Sequence, residues 1–166
     1  MPDNQLPLDE IDYSILRLLQ NDASVSNAQL AGKVSLSPSA CLSRVKRLQQ
    51  HGVIKQFTVI ADEQQLGLGV ATFTFVSLSR HSRTQAETFV RRIQEIPHVT
   101  ECYNITGSSD YLLKILSPDI SSYRDFVIDT LLEIPGVEHA ETLVVLKTEK
   151  REFVLPLGGP DTGSTK

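Results

Sequence analysis

Leu36-Ser37-Pro38-Ser39-Ala40-Cys41-Leu42-Ser43-Arg44-Val45-Lys46-Arg47-Leu48 reads as a capped helix with a basic outer face. Ser37 suits the N-cap, Pro38 is pre-organised for the first helical position, and Leu36 can staple onto Cys41. At about 100° per residue, Cys41, Val45 and Leu48 share one face, while Ser39, Ser43, Lys46 and Arg47 project from the opposite side and Arg44 lies on the flank. Gly52, just after His51, closes the helix as a left-handed cap. The stretch from 23 to 61 holds Lys33, Arg44, Lys46, Arg47 and Lys55 and no Asp or Glu, in a chain of net charge −4. A local basic helix in an acidic protein suits contact with a polyanion, because phosphate contacts are the sequence-independent part of nucleic-acid affinity. The plainer account of the same charges is a solvated helix face.

Working outward, Ser26-Asn27-Ala28-Gln29 is a capping box with Val25 and Leu30 in the staple positions, and Leu30, Ala31 and Val34 form a short buried face. Only Ser35-Leu36-Ser37 separates that helix from the basic one. Upstream, Asp9 suits the N-cap of a helix whose apolar stripe is Ile11, Ile15, Leu18 and Leu19. Two helices joined by a three-residue turn, the second with small hydroxyl residues first and cations after, is the helix-turn-helix arrangement. Downstream, residues 53–61 are rich in β-formers and read as a wing or connecting strand.

The second half reads as a duplication. Glu95-Ile96-Pro97-His98-Val99 recurs as Glu133-Ile134-Pro135-Gly136-Val137, offset by 38 residues. Each copy ends an amphipathic helix, with Ala86, Phe89, Val90 and Ile93 in the first and Tyr123, Phe126, Val127 and Leu131 in the second. Each helix follows a strand (70–79; 111–116) and precedes another (99–106; 137–147). The order βαββαβ predicts a ferredoxin-like sheet with helices on one face. Apolar residues on both sides of its strands (Leu112 with Leu113; Leu143 to Leu146) predict that the open face meets another subunit. Gly107-Ser108-Ser109-Asp110-Tyr111 can be merely a hairpin turn, or a turn whose backbone donors and carboxylate hold both ends of a zwitterion. The residues leave both readings open.

Composition bounds the rest. Residues 1–61 carry six basic and five acidic groups, and residues 62–166 carry ten and fifteen, so two domains of different task are expected. No apolar run approaches the ~20 residues of a membrane span, and the start lacks a secretory signal, so a cytoplasmic protein is expected. Cys41 and Cys102 are 61 positions apart and read as small core residues. His51, His81, His98 and His139 have no ligand spacing, so no metal and no cofactor are expected.

Taken together, Leu8-Asp9 with Asp12, Ile15 and Leu16, then Leu36-Ser37-Pro38, Arg44 to Leu48, Gly52-Val53-Ile54, Gly107 with Asp110-Tyr111, and Pro135-Gly136-Val137 resemble, in order and spacing, the Lrp/AsnC family of transcriptional regulators. The resemblance covers roughly residues 8 to 150. It implies an α+β chain, with a winged helix-turn-helix domain at 1–61 and a ferredoxin-like effector-binding and oligomerisation domain at 62–155, while the Gly- and Pro-rich residues 156–166 read by themselves as a flexible tail. It also implies sheet-to-sheet dimers that assemble further, often to octamers, with an amino acid bound at contacts between dimers. Family effector positions map onto Asp110, with Asn104, Ile120, Leu143, Val144 and Val145, and the turn adds Gly107 and Ser108. Ser35 stands where the family has Gly, and Gly107-Ser108-Ser109-Asp110 has one acid fewer than the family loop.

The expected function is a sequence-specific DNA-binding regulator responding to an amino acid or related metabolite, on palindromic double-stranded sites. Ser37, Ser39, Ser43 and Arg47 are the expected groove contacts, with Arg44, Lys46 and Lys55 nearer the backbone. Asp110 is expected to orient the effector's amino group. Asn104, set among Val144 and Val145, is expected to meet its side chain, which favours a polar amino acid. Two rivals remain. Siroheme decarboxylases are similar in both halves, but they need His and several cations around a polycarboxylate, whereas here the second half is net −5. An architectural protein binding DNA by shape is the other.

Overall fold

The computed structural model describes residues 6–79 and 83–158. They form two units, one built from the N-terminal residues to Ile60 together with the C-terminal segment from Lys150, the other from Ala61 to Glu149.

The first unit is three helices: α1 (Glu10–Asn21), α2 (Asn27–Lys33) and α3 (Pro38–Gln50). Each start is written into the local sequence. Asp9 caps α1 and forms a reciprocal capping box with Asp12; Ser26 does the same with Gln29 on α2; Ser37 accepts from the Ala40 N–H at the head of α3, where Pro38 follows. Ile15, Leu16, Leu30, Ala31, Cys41 and Leu48 make the core, with Val25, Val34, Leu36 and Val45 packed around it. The buried stripe of α1 thus includes Leu16, which the helical spacing did not single out, while Ile11, Leu18 and Leu19 are only partly covered. Asn27 reaches across the turn, its Nδ2 donating to the Pro38 carbonyl at 2.7 Å, and ties the start of α2 to the start of α3.

Two expectations change here. Residues 53–61 form no strand within this chain: from Gly52 (φ +72°) the backbone leaves the helix and runs on without β partners. Phe57, Val59 and Ile60 are exposed along it. By contact the C-terminal segment from Lys150 goes with the first unit, so the stretch expected to be a loose tail is held there. The side-chain amide of Gln20 on α1 accepts from the Leu155 N–H at 2.6 Å and donates weakly to its carbonyl at 3.5 Å, while Leu157 packs on the helical core. The expected tail is therefore anchored as far as Leu157, and residues 159–166 lie outside the described residues.

The second unit is a four-stranded antiparallel sheet ordered β2 (Val99–Asn104), β3 (Tyr111–Ser117), β1 (Val70–Leu78), β4 (Val137–Val144). Helices α4 (Arg83–Gln94) and α5 (Ile120–Phe126), the latter continued by a π-helical turn at Val127–Leu131, complete the βαββαβ order. Val76, Leu78, Phe89, Ile93, Leu113, Ile115, Leu131 and Ile134 form the core between helices and sheet. A buried hydroxyl chain, Thr74 Oγ1 to Tyr123 OH (2.8 Å) to Thr142 Oγ1, pins α5 to β1 and β4. The duplication is visible in the backbone: Ile96 and Val99 N–H donate to the Ile93 and Ile96 carbonyls, and Ile134 and Val137 repeat this with Leu131 and Ile134. Each repeat delivers one edge strand.

By strand alternation, Phe73, Phe75, Leu112, Leu116 and Leu143 occupy the sheet face that no helix of this unit covers. That face is not uniformly apolar. Lys114 Nζ lies 3.1 Å from Glu101, which also accepts from Tyr103 OH at 2.7 Å. Cys41 is buried as expected, but Cys102, on an edge strand, is exposed, and both are free thiols.

Ser35, between α2 and α3, sits at φ +54°, the left-handed region that costs an L side chain about 1–2 kcal/mol. Gly there relieves the strain and gives back part in chain entropy. Ser35→Gly is expected to stabilise the protein by about 0.5–1 kcal/mol in urea unfolding, with an unchanged m-value.

Candidate functional site

The described residues contain two sets of candidate side chains, one on α3 and one on the sheet. On α3, burial of Cys41 and Leu48 against α1 and α2 fixes the helix rotation. Ser39, Ser43 and Lys46 then face solvent, together with Gln50, which helical spacing places on the same line and which the sequence reading overlooked. Ser37 is committed to capping, with its hydroxyl also 3.2 Å from Ser39 Oγ. Lys55 lies beyond the helix and is exposed.

Arg47 does not project opposite the core, as expected, but turns to the flank that meets α1. Its Nη2 pairs with Asp12 Oδ2 at 2.5 Å, while Arg44 Nη1 lies 2.9 Å from Asp12 Oδ1 and 2.7 Å from Asp9 Oδ2. Asp12 is fully buried, and its carboxylate also accepts from the Asp9 N–H. The physical reason is that a charge without solvent must be matched by charge and hydrogen bonds, and the arginines on that flank supply both. Two of the acids that precede the basic window, Asp9 and Asp12, are thus the partners of its arginines. Arg47 Nε, also buried, has no hydrogen-bond acceptor.

The sheet set divides into two. At one end of the sheet, Asn104 pairs with Tyr111, and the loop between them carries Gly107 (φ +128°), Ser108 and Asp110. Asp110 joins three strands: its N–H donates to the Val76 carbonyl, its carbonyl accepts from Ile105 N–H and Asn104 Nδ2, and its Oδ2 accepts from Leu78 N–H at 2.8 Å. This carboxylate therefore ties β3 to β1, beyond its own turn. Ile120, Val144 and Val145 lie at the other end, where Val144 pairs with Thr72, Val145 N–H donates to Ala71, and Ile120 follows the far end of β3. Leu143 and Val144 also point to opposite faces. Through Thr72, Val144 is level with Ile115, five residue steps along the sheet from Asp110 and two strands across, roughly 19 Å at 3.3 Å per residue and 4.8 Å per strand. Asn104 is consequently not set among Val144 and Val145 of its own chain, and its amide is engaged by Asp110. A shallow groove on the helical layer, lined by Arg92, Glu95, Asp129 and Glu133 among others, contains none of the candidates. Among the described residues, no group of three or more His, Cys, Asp or Glu is placed to hold a metal ion, and no helix is long and apolar enough to cross a membrane.

Comparison with known proteins follows the same division. Residues 8–55 match the winged helix-turn-helix DNA-binding model, and residues 71–155 match the Lrp/AsnC ligand binding domain. The chain is 47% identical over 150 residues to the transcriptional regulator AzlB of Bacillus subtilis, covering 90% of this chain and 96% of that protein. It is 38% identical over 144 residues to the leucine-responsive regulatory protein of Escherichia coli, covering 87% and 88%. Among solved structures, a Neisseria meningitidis transcriptional regulator in complex with L-Met superposes with a TM-score of 0.85 at 36% identity, covering 90% of this chain and 97% of that one.

Asp9 is held below the ordinary carboxylate range, first by the Asp12 N–H at the helix start and then by the Arg44 guanidinium. A carboxyl lowered on folding stabilises the native state at higher pH, and the contribution is lost as pH falls through the native value. Stability of the wild type is therefore expected to decline below about pH 4, and Asp9→Asn to flatten that part of the profile in urea unfolding at stepped pH.

Proposed function

The chain belongs to the Lrp/AsnC family of transcriptional regulators, and on that premise we propose an amino-acid-responsive repressor or activator whose effector site is completed by a second copy of the chain. Its helix-turn-helix unit binds DNA. In our reading Ser39 and Ser43 face base edges, since small hydroxyl residues let a helix settle into the roughly 12 Å major groove, while Lys46 beside them reaches a phosphate. Ser37 lies at the entering end of α3. Arg44 and Arg47, on the flank, face the phosphate wall of that groove, and Lys55 meets the backbone further along. Lys46→Ala should weaken binding to every duplex and reduce the slope of log Kobs against log salt by about one. An unchanged slope in a mobility-shift titration would remove α3 from the interface.

The observation that carries the effector proposal is the roughly 19 Å between the Asp110 loop and the Ile120, Val144 and Val145 end. One small molecule cannot bridge that span. Asp110 and the loop N–H groups of Gly107 and Ser108 of one copy would hold the ammonium and carboxylate, by charge-assisted hydrogen bonds. Asn104 supports this loop through its bond to Asp110. Ile120, Leu143, Val144 and Val145 of another copy would bound the side chain. The effector is then an amino acid or close relative, and with Asn104 engaged the case for a polar one lapses. Palindromic operators, dimers and assembly towards octamers follow from such a shared site, and the working place is the cytoplasm, without catalysis. A visible absorption band in the purified protein would instead favour the siroheme-processing alternative.

A thermal-shift screen of the twenty amino acids identifies the ligand, because binding only the native state raises its stability. Calorimetry with that ligand then tests the shared site. Asp110→Asn and Ile120→Glu are each expected to lose binding. Asn can still accept from Leu78, and an acid at the α5 start suits the helix dipole. Equal mixtures of the two, after subunit exchange, are expected to regain about a quarter of the sites, the random share pairing two intact halves. No recovery on mixing would mean that each chain carries a whole site.

A further inference from the structure

α3 carries three cations, and two of them are already neutralised inside the protein. Arg44 and Arg47 are paired with Asp9 and Asp12, while among the described residues no ion pair involves Lys46. The two acids are not equivalent. The Asp12 side chain is 0% exposed and is held by both arginines, whereas that of Asp9 is 52% exposed and, among the described residues, pairs with Arg44 alone of the cations while its Oδ1 takes the Asp12 N–H. Arg44 is itself 26% exposed, so the pair is reachable from solvent on the groove-wall side of α3. A carboxylate and a phosphodiester offer a guanidinium the same chemistry, two anionic oxygens accepting N–H bonds. Asp9 therefore offers Arg44 the same chemistry that a backbone phosphate would.

We propose that Asp9 competes with a DNA phosphate for Arg44, so that the N-cap acid of α1 sets the sequence-independent part of the protein's DNA affinity. On binding, the phosphate replaces Asp9 Oδ2 while Asp12 Oδ1 keeps the guanidinium in place, and Asp9 retains its capping bond to the Asp12 N–H through Oδ1. The change is local and needs no rearrangement of the helices. Its effect falls on all sequences alike, because phosphate contacts carry no base information. Asp9 is thus a positioning residue acting through Arg44. The proposal rests on the flank of α3 meeting DNA, and the variants below separate the two.

Asp9→Asn removes the charge and keeps the cap, since Asn ranks with Asp at that position. Fluorescence anisotropy with a labelled random-sequence duplex, from 50 to 200 mM salt, is measured for wild type, D9N, R44Q and D9N/R44Q. D9N is expected to bind more tightly, with the slope of log Kobs against log salt steeper by about 0.9, the signature of one more neutralised phosphate. R44Q is expected to bind more weakly, and the D9N gain to vanish in the R44Q background. Three results overturn the proposal. Wild-type slope in D9N with weakened R44Q leaves Asp9 as a cap alone. A gain that persists in D9N/R44Q is a general charge effect. An R44Q variant that binds like wild type removes the flank from the interface and the competition with it. Should D9N melt early, Asp9→Ser, an equally good cap, takes its place.

Discussion

A carboxylate with no solvent exposure can sit between two helices only where opposite charge meets it, and Asp12 is such a group. It closes the capping box of α1, receives Arg44 and Arg47 from α3, and so fixes the rotation of α3 about its axis. Two guanidiniums meet this one buried carboxylate, so it keeps a charged partner if either is lost, and the register of α1 on α3 is held by more than apolar packing. Together with the burial of Cys41 and Leu48, this leaves Ser39, Ser43, Lys46 and Gln50 in a solvent-facing line.

The sheet unit is governed by a different constraint. Its duplicated βαβ halves bring two similar edge strands to opposite sides, so residues at corresponding places in the repeats lie far apart. The loop held by Asp110 and the end of β4 therefore face away from each other along β1 and β3. An effector site drawing on both, as proposed, would therefore take one half from each of two copies. Assembly and ligand occupancy are coupled by geometry in that arrangement.

Much of this was legible from local chemistry. The three caps, the Pro38 start, the Gly52 stop and the duplicated Glu-Ile-Pro segments are encoded in neighbours a few residues apart, and all are found where the spacing places them. The strand expected over residues 53–61 does not form because β-propensity alone makes a strand only where a hydrogen-bonding partner meets it, and among the described residues this segment has no ladder partner. Leu157 on the helical core was illegible for a similar reason, since its packing depends on where a distant segment returns.

By itself the sequence determined which segments are helix and strand, that a basic helix follows a short turn, and that the second half is a repeat, because caps, turns and periodicity act over a few residues. Tertiary structure alone decided which basic residues are free. Asp9 and Asp12 are 35 and 32 positions from Arg44, and charge counted along the chain cannot show that they are its neighbours. It likewise decided that Asn104 and Val144 stand at opposite ends of one sheet, because strand register is set by the antiparallel pairing of distant segments.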